Sequence, residues 1–514
     1  MRSKKILINT VYSIVSAVVI AFTALVTRRF FLTYFGVALL GYESLFSNVF
    51  SLLALSDLGV GTVITYALYQ EVANHNEAEI NRLMSLYKRF YQIVGAFIIV
   101  VGIVVYFFIP YIVKDDSYNW DYVHFVYIMQ LISTLCTYFL AYRRILYTVD
   151  QKAYICVNIE TVVSIISGLT KIISIVVLQN LFLYFAAGIL NNLLTNLVIS
   201  IKFRKDYSYA CQKVSLSKEY LRKRNFFSDL GNNLMCRISE TVYSSTDSIL
   251  ISMFIGIEQV GMYTNYMIID SYITGIFIKL LKPIQAAIGN YVYQETQDDN
   301  KRMLEMLNLL SFFMAAFMAC GYCVMFQQVI ELWLGPQYYL SMLFVIFLSV
   351  NCYIRWNYHF IAMYRYTWGN FEADRNFYIG AAVFNIIVSI ALQFFIGIAG
   401  IMLGTIVGQL FYWIGRSRVV YQNILKTRIS YYVKQQIFRG AIFLLELIVC
   451  LFITSRLPMD WEFFFIRALI CLMIPNTCNL LFFRKTEQYA QLVQYFKGTL
   501  IPLITKKNQK GDQI

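Results

Sequence analysis

The sequence predicts an all-α polytopic membrane protein with fourteen transmembrane helices, and three observations predict it. The first is apolarity. Of 514 residues, 59% are hydrophobic and 14% charged, with a mean hydropathy of +0.59; soluble chains sit near ~45–50% apolar and about a quarter charged. The second is the recurrence of apolar stretches of about twenty residues, the helical length that crosses a hydrocarbon core of ~30 Å. The third is a one-sided distribution of Lys and Arg between the connections.

The chain begins Met1-Arg2-Ser3-Lys4-Lys5 and continues apolar for about 22 residues without a small-residue cleavage site, so this stretch reads as a retained first span. The fourteen predicted spans are 6–27, 39–70, 87–110, 122–142, 153–178, 181–203, 229–253, 262–290, 304–333, 338–364, 376–397, 398–421, 436–456 and 462–484. Thirty-five Lys and Arg fall on the side of the N-terminus, and four (Arg28, Arg29, Lys114, Arg456) on the other. Cytoplasmic connections carry the excess of basic residues, so both termini are expected in the cytoplasm, which requires an even number of spans. The net charge of +14 is a topological signal and needs no nucleic-acid partner. The basic stretch from Lys202 to Arg224 and the tail around Tyr489, Val493 and Phe496 are expected on the anionic inner leaflet.

The chain also repeats itself. Gly36-x4-Gly41-Tyr42 recurs as Gly256-x4-Gly261-Met262-Tyr263 at an offset of 220; Tyr69-Gln70-Glu71 recurs as Tyr293-Gln294-Glu295 at 224; Tyr142-Arg143 recurs as Tyr364-Arg365 at 222. Three matches in order at nearly one offset imply two six-helix lobes in parallel orientation, an arrangement common among alternating-access transporters. The expected organisation is an N-lobe at 1–205, a basic cytoplasmic linker at 206–228, a C-lobe at 229–425, an added helix pair at 426–485 and a cytoplasmic tail at 486–514. Gly397, Gly400, Gly404 and Gly408 recur at three- and four-residue spacing, which suggests close helix packing.

Nothing in the pattern points to an enzyme. There is no phosphate-binding loop, zinc-protease helix or nucleophile elbow, and His75, His124 and His359 are too dispersed for a ligand set. Cys320-Gly-Tyr-Cys323 resembles a redox motif only superficially: it lies in a long apolar segment and reads as small core residues. No cofactor is expected beyond a coupling Na+ or H+.

Leu55-Ser-Asp57-Leu-Gly59-Val-Gly61 in the second span, Tyr243-Ser-Ser-Thr-Asp247 in the seventh and the Gly256-x4-Gly261-Met-Tyr263 turn carry a resemblance that extends over the whole chain. The sequence resembles the multidrug/oligosaccharidyl-lipid/polysaccharide exporter superfamily, in particular its polysaccharide-type, Wzx-like branch. The resemblance implies a flippase in a bacterial cytoplasmic membrane, multi-pass and monomeric. It would move undecaprenyl-diphosphate-linked repeat units outward for capsule, exopolysaccharide or O-antigen assembly, with a polysaccharide polymerase as a possible partner.

Ionisable groups within spans are costly and should face the interior or a partner. Arg28 and Arg29, near the outer end of the first span, violate the inside bias and are candidate contacts for a phosphate or acidic sugar, or they snorkel to headgroups. By the repeat offset Thr27 corresponds to Asp247, which would set the basic pair of one lobe against a carboxylate of the other. Asp247 has no cation at i±3 or i±4 and is the candidate for proton or sodium coupling; related sodium-coupled flippases place a carboxylate on this helix. Asn385 and Thr405 are candidate supporting oxygens, and Asp57 a lobe-closing contact. Lys171 is a candidate phosphate contact or a partner in an interhelical ion pair; it stands eleven residues from Glu160, on nearly one face but beyond direct reach. Arg237 is a further candidate, with Glu240 three residues away as an alternative partner. Lys279 and Lys282 precede Pro283, where snorkelling also explains them, and Arg355 clusters with Asn351, Asn357 and His359. Most of the 40 Tyr suit membrane interfaces, although Tyr12, Tyr243 and Tyr266 are placed where a glycan would pass.

A drug or cation antiporter of the same fold is the alternative, but acidic groups should then prevail over basic ones within spans. A polysaccharide polymerase or ligase is a third reading, and it wants a long outer loop that the chain lacks.

Overall fold

Helices satisfy their own backbone polar groups, which is why a bilayer admits them. The computed structural model describes residues 2–53, 60–114, 120–138, 140–212, 214, 226–294, 296–368, 372–495 and 497, and no strand occurs among them. The helices are α1 (Arg2–Leu53), α2 (Val60–Ala73), α3 (Glu77–Ile112), α4 (Trp120–Tyr138), α5 (Arg144–Val149), α6 (Ala153–Val176), α7 (Leu181–Asp206), α8 (Phe226–Phe254) and α9 (Ile257–Gln294). They continue as α10 (Gln297–Trp333), α11 (Met342–Asn357), α12 (His359–Trp368), α13 (Arg375–Ile396), α14 (Ile398–Val419), α15 (Ser430–Thr454), α16 (Trp461–Phe483) and α17 (Glu487–Tyr495).

The described parts of the predicted spans are mostly helical, and ten helices among the described residues are long and apolar enough to cross a membrane. The other predicted spans are described in two pieces or are more polar. The second is described in two pieces, the end of α1 and α2, and residues 54–59, Asp57 among them, lie outside the described residues. The tenth is divided into α11 and α12 at Tyr358. Helices α8 and α9 are 29 and 38 residues long and keep charged residues along their length. The first predicted span and the start of the second are continuous as α1 except at Gly36, where φ is +80° and ψ 173°. That left-handed φ favours glycine and breaks the helix in two. Polar caps set the starts: the side chains of Asn76, Asn180 and Thr296 accept from the backbone N–H three residues on, at Glu79, Leu183 and Asp299.

The chain gathers into two compact units, Met1–Pro283 with Ser389–Ile401, and Ile284–Val388 with Met402–Ile514. In the first unit α1 packs on α4, α6 and α8, α6 on α7, and α2 on α3. A tight turn at Gly397 (φ +59°) brings Gly400 so close to the backbone of Leu392 that a side chain there would collide, which meets the expectation of close packing from the glycine spacing. Outward, α3 exposes Ile93, Val100, Phe107 (71%) and Tyr111 (75%), an apolar face of the kind a lipid bilayer accepts.

In the second unit α10 is the central helix, enclosed by α11, α12, α15, α16 and α17. Cys320 and Cys323 are buried within it as free thiols, in keeping with a core role. Arg365 is fully buried and held by Asp374, with Nε 2.6 Å from the carboxylate. Arg416 donates to the hydroxyls of Tyr366 (3.0 Å) and Tyr378 (2.7 Å), and its guanidinium lies 4.9 Å from the ring centre of Tyr412. Both are cations whose partners come from within the same unit, as burial requires.

The sequence repeat has a physical counterpart within the first unit. Two helical stretches start directly after a left-handed glycine, at Val37 after Gly36 and at Ile257 after Gly256 (φ +141°). The carbonyl of Ile257 sits against Gly41, and the carbonyl of Val37 sits against Gly261. Ser44 donates to Thr264, its own counterpart at the offset of 220, at 3.2 Å. Such reciprocal contacts, in which i meets j and the equivalent of j meets the equivalent of i, are the signature of a two-fold relation. The axis passes between Ser44 and Thr264.

Candidate functional site: a cationic cavity in the first unit

The polar residues that the apolar helices of the first unit cannot give to lipid collect around a cavity of about 360 Å3, within the ~300–1,000 Å3 range of small-molecule sites. Arg28 comes from α1 before the Gly36 break, and Glu43, Ser44 and Ser47 come after it. Helix α6 contributes Ser164, Ser167, Gly168 and Lys171, at spacings that keep them on one face. Helix α7 contributes Tyr184 and Asn191, and α4 contributes Gln130. Gly168 lets α6 approach α1, since a methyl there would run into Thr23. Gly188 leaves room for the ammonium of Lys171, whose Nζ is 3.4 Å from where a Cβ would stand.

Its charges are held by few partners. Arg28 donates through Nε to Asn265 (2.7 Å) and through Nη2 to Thr264 (2.6 Å), so the fork is braced by α9 with donors left over. The Lys171 ammonium lies 4.6 Å from the ring centre of Tyr184, an arrangement worth up to ~2 kcal/mol when desolvated. The Tyr184 hydroxyl in turn donates to the Glu43 carboxylate at 3.3 Å. Among the described residues no carboxylate stands within ion-pair distance of Arg28 or Lys171. Two cations and one carboxylate line the cavity, a net charge of +1. Chemically it presents one planar fork and one point charge, the complement of a phosphorylated or carboxylated headgroup.

The structure brings together only some of the residues singled out in the sequence. Arg28 and Lys171 share the cavity, whereas Arg29, one helical step on, is exposed. Lys171 meets an aromatic face instead of an interhelical carboxylate, and Glu160 stands with Arg144 at 3.8 Å. Lys279 donates to the Ser13 carbonyl at 3.2 Å and is not among the lining residues. Asp247 is buried and accepts from Tyr263 at 3.1 Å. Asn385 donates to Thr405 at 3.2 Å in the second unit, as does Asn357 to Gln436 at 2.6 Å, and Arg355 lies in that unit too. Asp57 and the side chains of Arg237 and Lys282 lie outside the described residues. Tyr12 is exposed and Tyr266 fully buried, and neither lines the cavity. Glu43 and Tyr184 are the functional side chains that sequence reasoning missed. A carboxylate inside an apolar stretch, one repeat offset from the motif tyrosine Tyr263, was the available signal for Glu43.

No protein-family model matches the chain, and no curated protein matches it by sequence. Solved structures do. A lipid II flippase, MurJ, in an inward closed conformation matches with a TM-score of 0.63 at 16% identity, over 93% of this chain and 99% of that one. The Vibrio cholerae MATE transporter VcmN matches with a TM-score of 0.57 at 12% identity, over 82% of this chain and 98% of that one. The eukaryotic MATE transporter AtDTX14 matches with a TM-score of 0.50 at 14% identity, over 82% and 96%. The chain has the fold that the lipid II flippase and the MATE transporters share.

Proposed function

We propose that this chain is a lipid-linked oligosaccharide flippase of the multidrug/oligosaccharidyl-lipid/polysaccharide exporter superfamily, in its polysaccharide branch. It moves undecaprenyl-diphosphate-linked repeat units outward across a bacterial cytoplasmic membrane, supplying capsule, exopolysaccharide or O-antigen assembly, where a polysaccharide polymerase receives the product. Fourteen crossings with both termini cytoplasmic are what the charge bias calls for. The observation that carries the reading is the pairing of Arg28 and Lys171 in a polar cavity inside a fold shared with a lipid II flippase. A cavity with excess positive charge attracts a diphosphate and repels the cationic drugs of an antiporter. Nothing in the sequence supplies an ATP-binding loop, so the work comes from an ion gradient or the membrane potential, at about 2.3 kcal/mol per charge per 100 mV. Asp247 is the coupling carboxylate in this scheme.

The test is reconstitution. Proteoliposomes holding the purified protein and a fluorescent polyprenyl-diphosphate-oligosaccharide should move the probe between leaflets well above protein-free vesicles. Transport of a cationic dye, with none of the lipid-linked glycan, would refute the assignment and favour the antiporter.

A further inference from the structure

A second cavity in the first unit has no role in the scheme above. It encloses about 490 Å3 and is lined in part by Tyr87 and Tyr91 of α3, Arg144 of α5, Glu160 of α6, and Asn192 and Asn196 of α7. Its chemistry differs from that of the cationic site. Arg144 lies 3.8 Å from Glu160 and donates to Asn196 at 3.2 Å, so its charge is balanced locally. Two planar amides, a guanidinium–carboxylate pair and two tyrosines with hydroxyls 3.3 Å apart make a neutral surface of alternating donors and acceptors beside an aromatic face. That combination suits a ring of hydroxyls, and the guanidinium's charge is offset by Glu160.

The two cavities are neighbours along the same pair of helices. On α6, Glu160 lines one and Lys171 the other, eleven residues apart on nearly the same face, which at ~1.5 Å per residue is about 16 Å. Ser164 and Ser167 fill the interval on α6 and line the cationic cavity. On α7 the consecutive residues Asn191 and Asn192 line one cavity each. The charge bias puts the neutral cavity toward the cytoplasm and the cationic cavity beyond it.

Resting on the flippase reading, we infer that the neutral cavity is a glycan subsite: it holds uncharged sugars of the repeat unit while Arg28 and Lys171 hold the diphosphate of the same molecule. The diphosphate then leads and the oligosaccharide trails on the cytoplasmic side.

The experiment uses two probes in proteoliposomes, one polyprenyl diphosphate bearing a single sugar and one bearing a neutral oligosaccharide of several sugars. Tyr91→Ala should lower the initial rate for the oligosaccharide probe about tenfold and leave the single-sugar probe within twofold of wild type. Tyr91→Phe, which keeps the ring, should retain most of the rate on both. Should Tyr91→Ala fail to insert, Tyr91→Leu fills the space without an aromatic face or hydroxyl and reads the same contrast. Equal losses on both probes, or no loss on either, overturn the subsite and leave the flippase reading standing. A wild-type protein inactive on both probes overturns the flippase reading and the subsite with it.

Discussion

Replacing Lys171 by Met isolates the charge of the cationic cavity from its shape. The thioether chain has nearly the length of the lysine stem and fits beside Gly188, so packing on α7 is kept. What is lost is the ammonium 4.6 Å from the Tyr184 ring centre, and with it the cavity's net charge falls from +1 to zero, Arg28 being balanced by Glu43. Removing the cation–π contact costs up to ~2 kcal/mol of fold stability, and relief from burying an ammonium offsets much of it. Thermal stability should therefore shift little. A hydrogen bond to a charged group contributes about 1.5–3 kcal/mol, so the loss for a diphosphate ligand should be about 10- to 150-fold at ~1.4 kcal/mol per decade. Initial flipping rates in proteoliposomes over a range of probe densities measure this directly, and Lys171→Arg should recover part of the rate by restoring the charge. A Lys171→Met protein that stays within twofold of wild type at low probe density would refute the claim that this cavity reads the diphosphate.

The other predictions separate residues that lie close in sequence. Arg28→Ala should abolish flipping, whereas Arg29→Ala should leave it nearly unchanged, because only Arg28 lines the cavity; equal effects in the proteoliposome assay would contradict that division. Gly41→Ala drives a methyl into the Ile257 carbonyl, an overpacking that should cost about 1–3 kcal/mol and lower the melting temperature in detergent; an unchanged melting curve would deny the contact. Asp247→Asn should flatten the response of flipping to an imposed proton or sodium gradient while leaving gradient-free exchange in place, and an unaltered response would remove Asp247 from coupling.

Helix positions were legible because twenty apolar residues have few other ways to fold in a bilayer, and the predicted stretches at 153–178 and 181–203 lie within about three residues of α6 and α7 at each end. The break at Gly36 falls in the connection expected between 27 and 39, but helix α1 continues on both sides of it, and the left-handed φ of one glycine marks the division. In the site, Arg28 and Lys171 stood out because a charge in an apolar run is conspicuous by itself. Their partners did not, because Asn265, Thr264 and Tyr184 are ordinary residues for helices of this kind and acquire meaning only when three distant segments meet. The pairing of Arg144 with Glu160 was hidden for the same reason: sequence spacing describes neighbours on one helix and is silent about the next.

The reciprocal seating of two carbonyls on two glycines brings backbone against backbone at that joint, with the stiff β-branched side chains of Val37 and Ile257 beside the notches. Sliding one helix along the other would drive both oxygens out of their notches at once, while a swivel about the line between Ser44 and Thr264 keeps each engaged. The joint is therefore built as a pivot, stiff to shear and compliant to rotation, and any substituent on either glycine wedges it open.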